Sequence, residues 1–207
     1  MNIILVAGTG TEVGKTYVTA AVLREMREDG VAVAARKPVQ SFDADDVETD
    51  ADVLAAASGE PTDVVCPPHR RLATPMAPPM AAEVLGLSSF TIRDLVDDLT
   101  LPSDTLVFVE SAGGVRSPLA QDGDTVTLAD ALRPNAVVLV ADAGLGTINA
   151  VRLCVDALNT HHTIVYLNRF DEHDELHARN RDWLLTREGL EVVTDPEALA
   201  KRLLATR

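Results

Sequence analysis

Aromatic residues are almost missing from this chain: four Phe, two Tyr and one Trp make up 3% of it. Binders of single-stranded nucleic acid stack successive bases on aromatic side chains, so that class is disfavoured and aliphatic residues must build the core. Positive charge is scarce as well. Eighteen Lys and Arg face 32 Asp and Glu, a formal net charge of -14. Such a surface repels phosphate backbones and anionic lipid, and we expect no nucleic-acid partner and no membrane partner. The excess acid itself reads as a solvated surface, not as a site. Cys66 and Cys154 are the two cysteines, and neither sits in Cys-x-x-Cys or His spacing. They fit reduced thiols better than a disulfide framework or a zinc site. No apolar run approaches the roughly 18 residues of a spanning helix, and no basic segment precedes Ile3; a cytoplasmic protein is expected.

What is present is aliphatic and patterned. With 207 residues, 46% of them hydrophobic, the chain can bury one ordinary core, and residues 1–207 are expected to form a single domain. Short apolar runs at Ile3 to Ala7, Val31 to Ala35, Leu106 to Val109, Ala136 to Ala141 and Thr163 to Leu167 lack alternation, as strands buried on both faces do. Stretches of helical spacing lie between them: Thr16 to Glu28, Asp50 to Ser58, Ile92 to Leu99, Ile148 to Leu158 and Glu172 to Arg187. Strand alternating with helix predicts an α/β fold, a mostly parallel twisted sheet flanked by helices in three layers. Polar segments from Pro38 to Thr49 and from Ser111 to Thr127 follow strand ends, where such folds carry ligand loops. The Pro-dense stretch from Pro67 through Pro79 is expected to be a rigid covering loop without regular helix.

The strongest chemical signal is Gly8-Thr9-Gly10-Thr11-Glu12-Val13-Gly14-Lys15-Thr16, between a buried-type strand and a helix. Its glycines let backbone N–H groups and the helix start face an anion; Lys15 can reach terminal phosphates and the Thr16 hydroxyl can ligate magnesium. The strict pattern wants Gly where Thr9 stands, so the loop is one residue longer from Gly8. Only three residues are Lys, namely Lys15, Lys37 and Lys201. Lys37, in Arg36-Lys37-Pro38-Val39-Gln40-Ser41, leaves the second strand at the same sheet edge. Its cation can neutralise a transferring phosphoryl group while Ser41 donates a hydrogen bond. Glu110, in Glu110-Ser111-Ala112-Gly113-Gly114, ends a third strand, the usual place for a magnesium-holding acid. Among the acids from Asp43 to Asp52, Asp50 opens a helix and reads equally as a second metal ligand or as an N-cap. Asp142 through Asn149 start another helix, which serves either as an anion site for a substrate carboxylate or as a plain turn. Asn168 ends the last strand, where its amide can read a nucleobase edge. His173 and His177 fit an exposed helix face and are not assigned to a metal.

The chain resembles the dethiobiotin synthetase family, ATP-dependent cyclo-ligases of the deviant P-loop group. The resemblance rests on Gly8 to Thr16, Lys37-Pro38-Val39 with Ser41, Glu110 to Gly114, and Leu145-Gly146-Thr147-Ile148-Asn149, in family order along nearly the whole chain. It implies a P-loop NTPase-like fold and conversion of 7,8-diaminopelargonate, carbon dioxide and ATP into dethiobiotin, ADP and phosphate, through a carbamate that attacks the γ-phosphate. Lys15 and Lys37 would then stabilise charge, with Thr11 and Ser41 as hydrogen-bonding neighbours. Thr11, Glu12, Val13, Gly14, Lys15 and Thr16 would bind the nucleotide with Glu110 and Asn168. Mg2+ would sit on Thr16, Asp50 and Glu110. A homodimer would carry Thr147, Ile148 and Asn149 across the interface to the substrate carboxylate. The chain departs from the family pattern at Ser111, where Gly is usual, and at Val192 to Pro196, where an Ile-Pro or Leu-Pro clamp on the base is usual. Two alternatives remain for experiment: a nucleotide-switch ATPase without ligase activity, which lacks its signature Lys at Thr9, and a stand-alone relative of cobyrinate-type synthetases.

Overall fold

The computed structural model describes residues 2–206. In chain order the elements are β1 (Asn2–Gly8), α1 (Lys15–Glu28), β2 (Val33–Arg36), β3 (Gln40–Ser41), α2 (Asp50–Ser58), α3 (Thr62–Val65), β4 (Arg71–Leu72), α4 (Pro78–Val84), α5 (Ile92–Asp97), β5 (Leu106–Glu110), α6 (Thr125–Leu132), β6 (Ala136–Asp142), α7 (Thr147–Ala157), β7 (Thr163–Asn168), α8 (Glu175–Thr186), β8 (Glu191–Val193) and α9 (Pro196–Leu204). Six strands form one sheet in the order β2-β5-β1-β6-β7-β8, and every pair in it is parallel. The α/β expectation holds.

Alternation along β1 divides the core between the two faces of the sheet. Ile3, Leu5 and Ala7 join one apolar cluster with residues of α5, α6 and α8, while Ile4 and Val6 join another with residues of α1, α2 and α9. Strand order reverses at β1, with β5 and β2 to one side and β6 to β8 to the other. The carboxyl ends there form the crevice in which open α/β sheets bind ligands, and the glycine-rich loop after β1 occupies it. Register sets the rest: Arg36 pairs with Val109 in β2 and β5, so the next residue on each strand end, Lys37 and Glu110, meet.

Several local expectations are corrected. The Pro-dense stretch contains a helix after all, α4, which begins at Pro78 and Pro79. Prolines are tolerated in a first turn because the N–H groups there have no helical acceptor. The polar segment after β5 ends at Asp124, whose carboxylate accepts from the Val126 and Thr127 N–H groups and caps α6. The helix expected from Glu172 starts at Glu175 under an Asp174 cap, leaving His173 outside it. A short strand, β8, and a last helix, α9, follow; Leu199, Ala200 and Leu203 of α9 are buried.

Candidate active site

The loop after β1 folds around the amino end of α1 through two residues of left-handed backbone, Glu12 at φ 59° and Gly14 at φ 94°. Gly14 is needed for space as well, since a Cβ there would lie 2.0 Å from Nδ2 of Asn168. That nitrogen donates to the Val13 carbonyl at 3.0 Å. The neighbouring Arg169 donates to the Glu12 carbonyl at 2.9 Å and to Asp142 at 2.8 Å. Asn168, expected at a nucleobase edge, thus holds the loop by its amide nitrogen, and Arg169, which sequence reasoning passed over, holds it beside Asn168.

Lys15 curls back over the loop. Its Nζ donates to the carbonyls of Gly10 at 3.0 Å and Gly113 at 2.9 Å, so β1 and β5 loops meet on one ammonium. Burial, then the nearby charge of Lys37, lowers its pKa from the usual 10.5 to about 8. Lys37 is 1% exposed and donates to Glu110 Oε1 at 2.7 Å, Asp50 Oδ2 at 2.8 Å and the Ser111 carbonyl at 3.3 Å. Burial would depress its pKa, but Glu110 and Asp50 overcome that and hold it above the ordinary lysine value. Asp50 responds in kind: burial would raise it, and Lys37 keeps it below the usual carboxylate range.

The two readings of Asp50 separate here. Thr49, not Asp50, is the N-cap of α2, with its N–H donating to Asp52. Gln40 fixes the same turn from the side, accepting from the Ala51 N–H and donating to the Thr49 hydroxyl. Asp50 is left free to face Thr16. Thr16 Oγ1 lies 2.8 Å from Asp50 Oδ1 and 2.8 Å from Glu110 Oε1. A hydroxyl has a single proton, so Thr16 donates to only one of these oxygens; Lys37 donates to both carboxylates but leaves one oxygen facing the Thr16 oxygen with no proton between them. Such an oxygen pair suits a hard cation. The expected set of one hydroxyl and two carboxylates matches magnesium, which takes few protein ligands and fills its octahedron with water and phosphate oxygens. No cluster of three or more His, Cys, Asp or Glu gathers among the described residues, which argues against a metal caged wholly by protein.

A cleft of about 680 Å³ is lined by Thr11, Glu12, Gly14, Lys15, Thr16, Lys37, Asp50 and Ser41, while Glu110, wholly buried, lies against Thr16 and Lys37. Pro75 to Pro78 also line it, so the end of the proline stretch forms part of the cleft wall. Ser41 Oγ is buried without a partner among the described residues. Ala112 and Gly113 reach the cleft, whereas Ser111 is wholly buried and its hydroxyl is unpartnered among the described residues. Thr147, Ile148 and Asn149 are not brought there. Ile148 and Asn149 line a separate groove with Leu145 and Arg152, and Leu145 is 92% exposed. At the chain's end, Val193 pairs with Tyr166 and Asp195 caps α9.

Comparison with known proteins agrees with this geometry. A family model described as an AAA domain matches residues 2–194. The ATP-dependent dethiobiotin synthetase BioD of Anaeromyxobacter sp. (strain Fw109-5) is 40% identical over 182 residues, covering 84% of this chain and 80% of that protein. Its namesake in Rhodococcus jostii (strain RHA1) is 41% identical over 162 residues, 77% of this chain and 68% of that one. Among solved structures, a putative plasmid partition protein from Borrelia burgdorferi B31 bound to AMPPNP superposes with a TM-score of 0.56 at 12% identity, covering 99% of this chain and 97% of that one. The signal recognition particle receptor FtsY from Elizabethkingia anophelis gives 0.55 at 17% identity over 99% of this chain and 64% of that one. These two likenesses show the P-loop fold alone; the sequence relatives carry the assignment. The chain belongs to the ATP-dependent dethiobiotin synthetase family, ligases of biotin biosynthesis.

Proposed function

We propose that the chain, acting as one domain in the cytoplasm, closes the ureido ring of dethiobiotin from 7,8-diaminopelargonate and carbon dioxide while ATP is cleaved to ADP and phosphate. One amine of the substrate takes up carbon dioxide as a carbamate. A carbamate oxygen attacks the γ-phosphorus and ADP leaves; the second amine then attacks the carbamoyl carbon of the mixed anhydride and phosphate leaves with the ring closed.

The observation that carries this reading is the convergence of Lys15, Lys37, Thr16, Asp50 and Glu110 beside one phosphate-binding loop. The loop backbone and the start of α1 receive the phosphates, with Thr11, Glu12 and Val13 around them. Lys37, poised at the cleft wall, opposes the charge that builds as the phosphoryl group transfers. Ser41 has an uncommitted hydroxyl to give to the carbamate or γ-phosphate. Mg2+ would be held by Thr16, Asp50 and Glu110, where it would neutralise phosphate charge. A homodimer is supported by the position of Ile148 and Asn149, which line their own groove beside exposed Leu145 and Leu153, away from this chain's cleft and open to the cleft of a second subunit.

The test is direct. Purified protein with magnesium-ATP, bicarbonate and 7,8-diaminopelargonate is followed by mass spectrometry and phosphate release. Dethiobiotin with one phosphate per turnover supports the ligase, and nucleotide binding without product points to a degenerate family member that binds nucleotide without turnover, or to a switch ATPase.

A further inference from the structure

Glu110 is wholly buried, and its two carboxylate oxygens have different partners. Oε1 meets Thr16 and Lys37, while Oε2 lies 2.9 Å from the hydroxyl of Thr19. Thr19 is 1% exposed and stands outside the phosphate-loop motif, one turn further along α1. Its hydroxyl also lies 2.8 Å from the Lys15 carbonyl. One proton cannot serve both acceptors. The Lys15 carbonyl is already the helical acceptor for the Thr19 N–H, and a bond to an ionised carboxylate is the stronger of the two, so the proton belongs to Glu110.

We propose that Thr19 is a positioning residue for the metal site, a reading that rests on the magnesium assignment above. Thr16 and Thr19, three residues apart, share one face of α1 and grip the two oxygens of one carboxylate. With Oε2 engaged by Thr19, the carboxylate plane is set and Oε1 alone is turned to Thr16 and Lys37, both of which line the cleft. Without that hydroxyl the carboxylate is released to turn both oxygens onto Lys37, and the oxygen set around Thr16 is lost.

The experiment measures AMP-PNP affinity with and without magnesium for the wild type and for Thr19→Ser, Thr19→Ala and Thr19→Val, with thermal unfolding as the check on folding. Magnesium tightens binding to the wild type and to Thr19→Ser alike. Thr19→Ala and Thr19→Val lose about tenfold of that gain, the effect of one buried hydrogen bond to a charged group, while their metal-free affinity stays within about threefold of wild type. The Ser and Ala forms differ by the hydroxyl, so they decide the matter even where Val disturbs packing. An equal magnesium gain in all four proteins overturns the proposal, as does an equal loss with and without metal, or a Ser form as weak as Ala. A wild type with no magnesium gain removes the metal reading itself.

Discussion

Replacing Lys37 by Met separates what this residue does for the fold from what it does in catalysis. The chain of Met nearly matches the volume of the Lys stem, so packing is conserved. What is lost is an ammonium 2.7 Å from Glu110 Oε1, both side chains essentially buried at 1% and 0% exposure. At an effective dielectric of about 20, that separation corresponds to roughly 6 kcal/mol of attraction. Desolvating the two ions costs several kcal/mol each, so the pair as a whole is near neutral for stability. Removing one partner alone strands a buried carboxylate and should cost about 3–5 kcal/mol. The contact with Asp50 adds less than that with Glu110, because that side chain is 47% exposed and partly screened. Urea unfolding at pH 7 is the assay. Lys37→Met is expected to unfold at markedly lower urea, and the double variant Lys37→Met with Glu110→Gln to recover to within about 1 kcal/mol of wild type, because the stranded charge is gone. Turnover should stay lost in both; in Lys37→Met alone, ATP affinity should change far less than kcat, since the charge is needed as the phosphoryl group transfers. A single variant as stable as wild type, or a double variant no better than the single, would refute the buried-pair reasoning. Equal loss of kcat and ATP affinity would refute the catalytic role.

Three further outcomes follow from the same geometry. Lys15→Ala should weaken ATP binding and turnover together, by about a hundredfold for charge-assisted bonds lost to the phosphates; isothermal titration and steady-state kinetics check it. Because the Lys15 pKa is lowered to about 8 by burial and by Lys37, the free protein loses this charge as pH rises through 8. ATP affinity should therefore fall above pH 8, and binding there should take up a proton, seen as a buffer-dependent heat; a flat affinity from pH 7 to 9.5 contradicts it. Gly14→Ala places a Cβ at φ 94° and against Asn168, and should cost about 2–4 kcal/mol in thermal or urea unfolding together with nucleotide binding.

Contiguous features were legible in the sequence, and those assembled from distant segments were not. The phosphate loop could be read because Gly8 to Thr16 carry its geometry locally, in glycines and in a Lys next to a helix start. Five of the sheet's six strands could be read because parallel strands buried on both faces are apolar throughout. Element ends were harder: Pro78 and Pro79 argue against a helix interior and also suit a helix's first turn, so only packing chose α4. In α9 the apolar pattern is short and amphipathic, and its contact with α1 decides that it is helix. The site shows the same division. Composition and position alone picked out Lys37, Asp50 and Glu110, but left Asp50 undecided between ligand and cap. Thr49 takes the cap of α2, with Gln40 bracing that turn, which removes the cap reading of Asp50. Thr19 offered no motif, only a spacing of three from Thr16. Its partner Glu110 is 91 residues away in sequence and is brought there by the pairing of β1 with β5. Local backbone preference and hydrophobic pattern act over a few residues and are written in the chain; a buried carboxylate's partners depend on strand register, which the whole core selects.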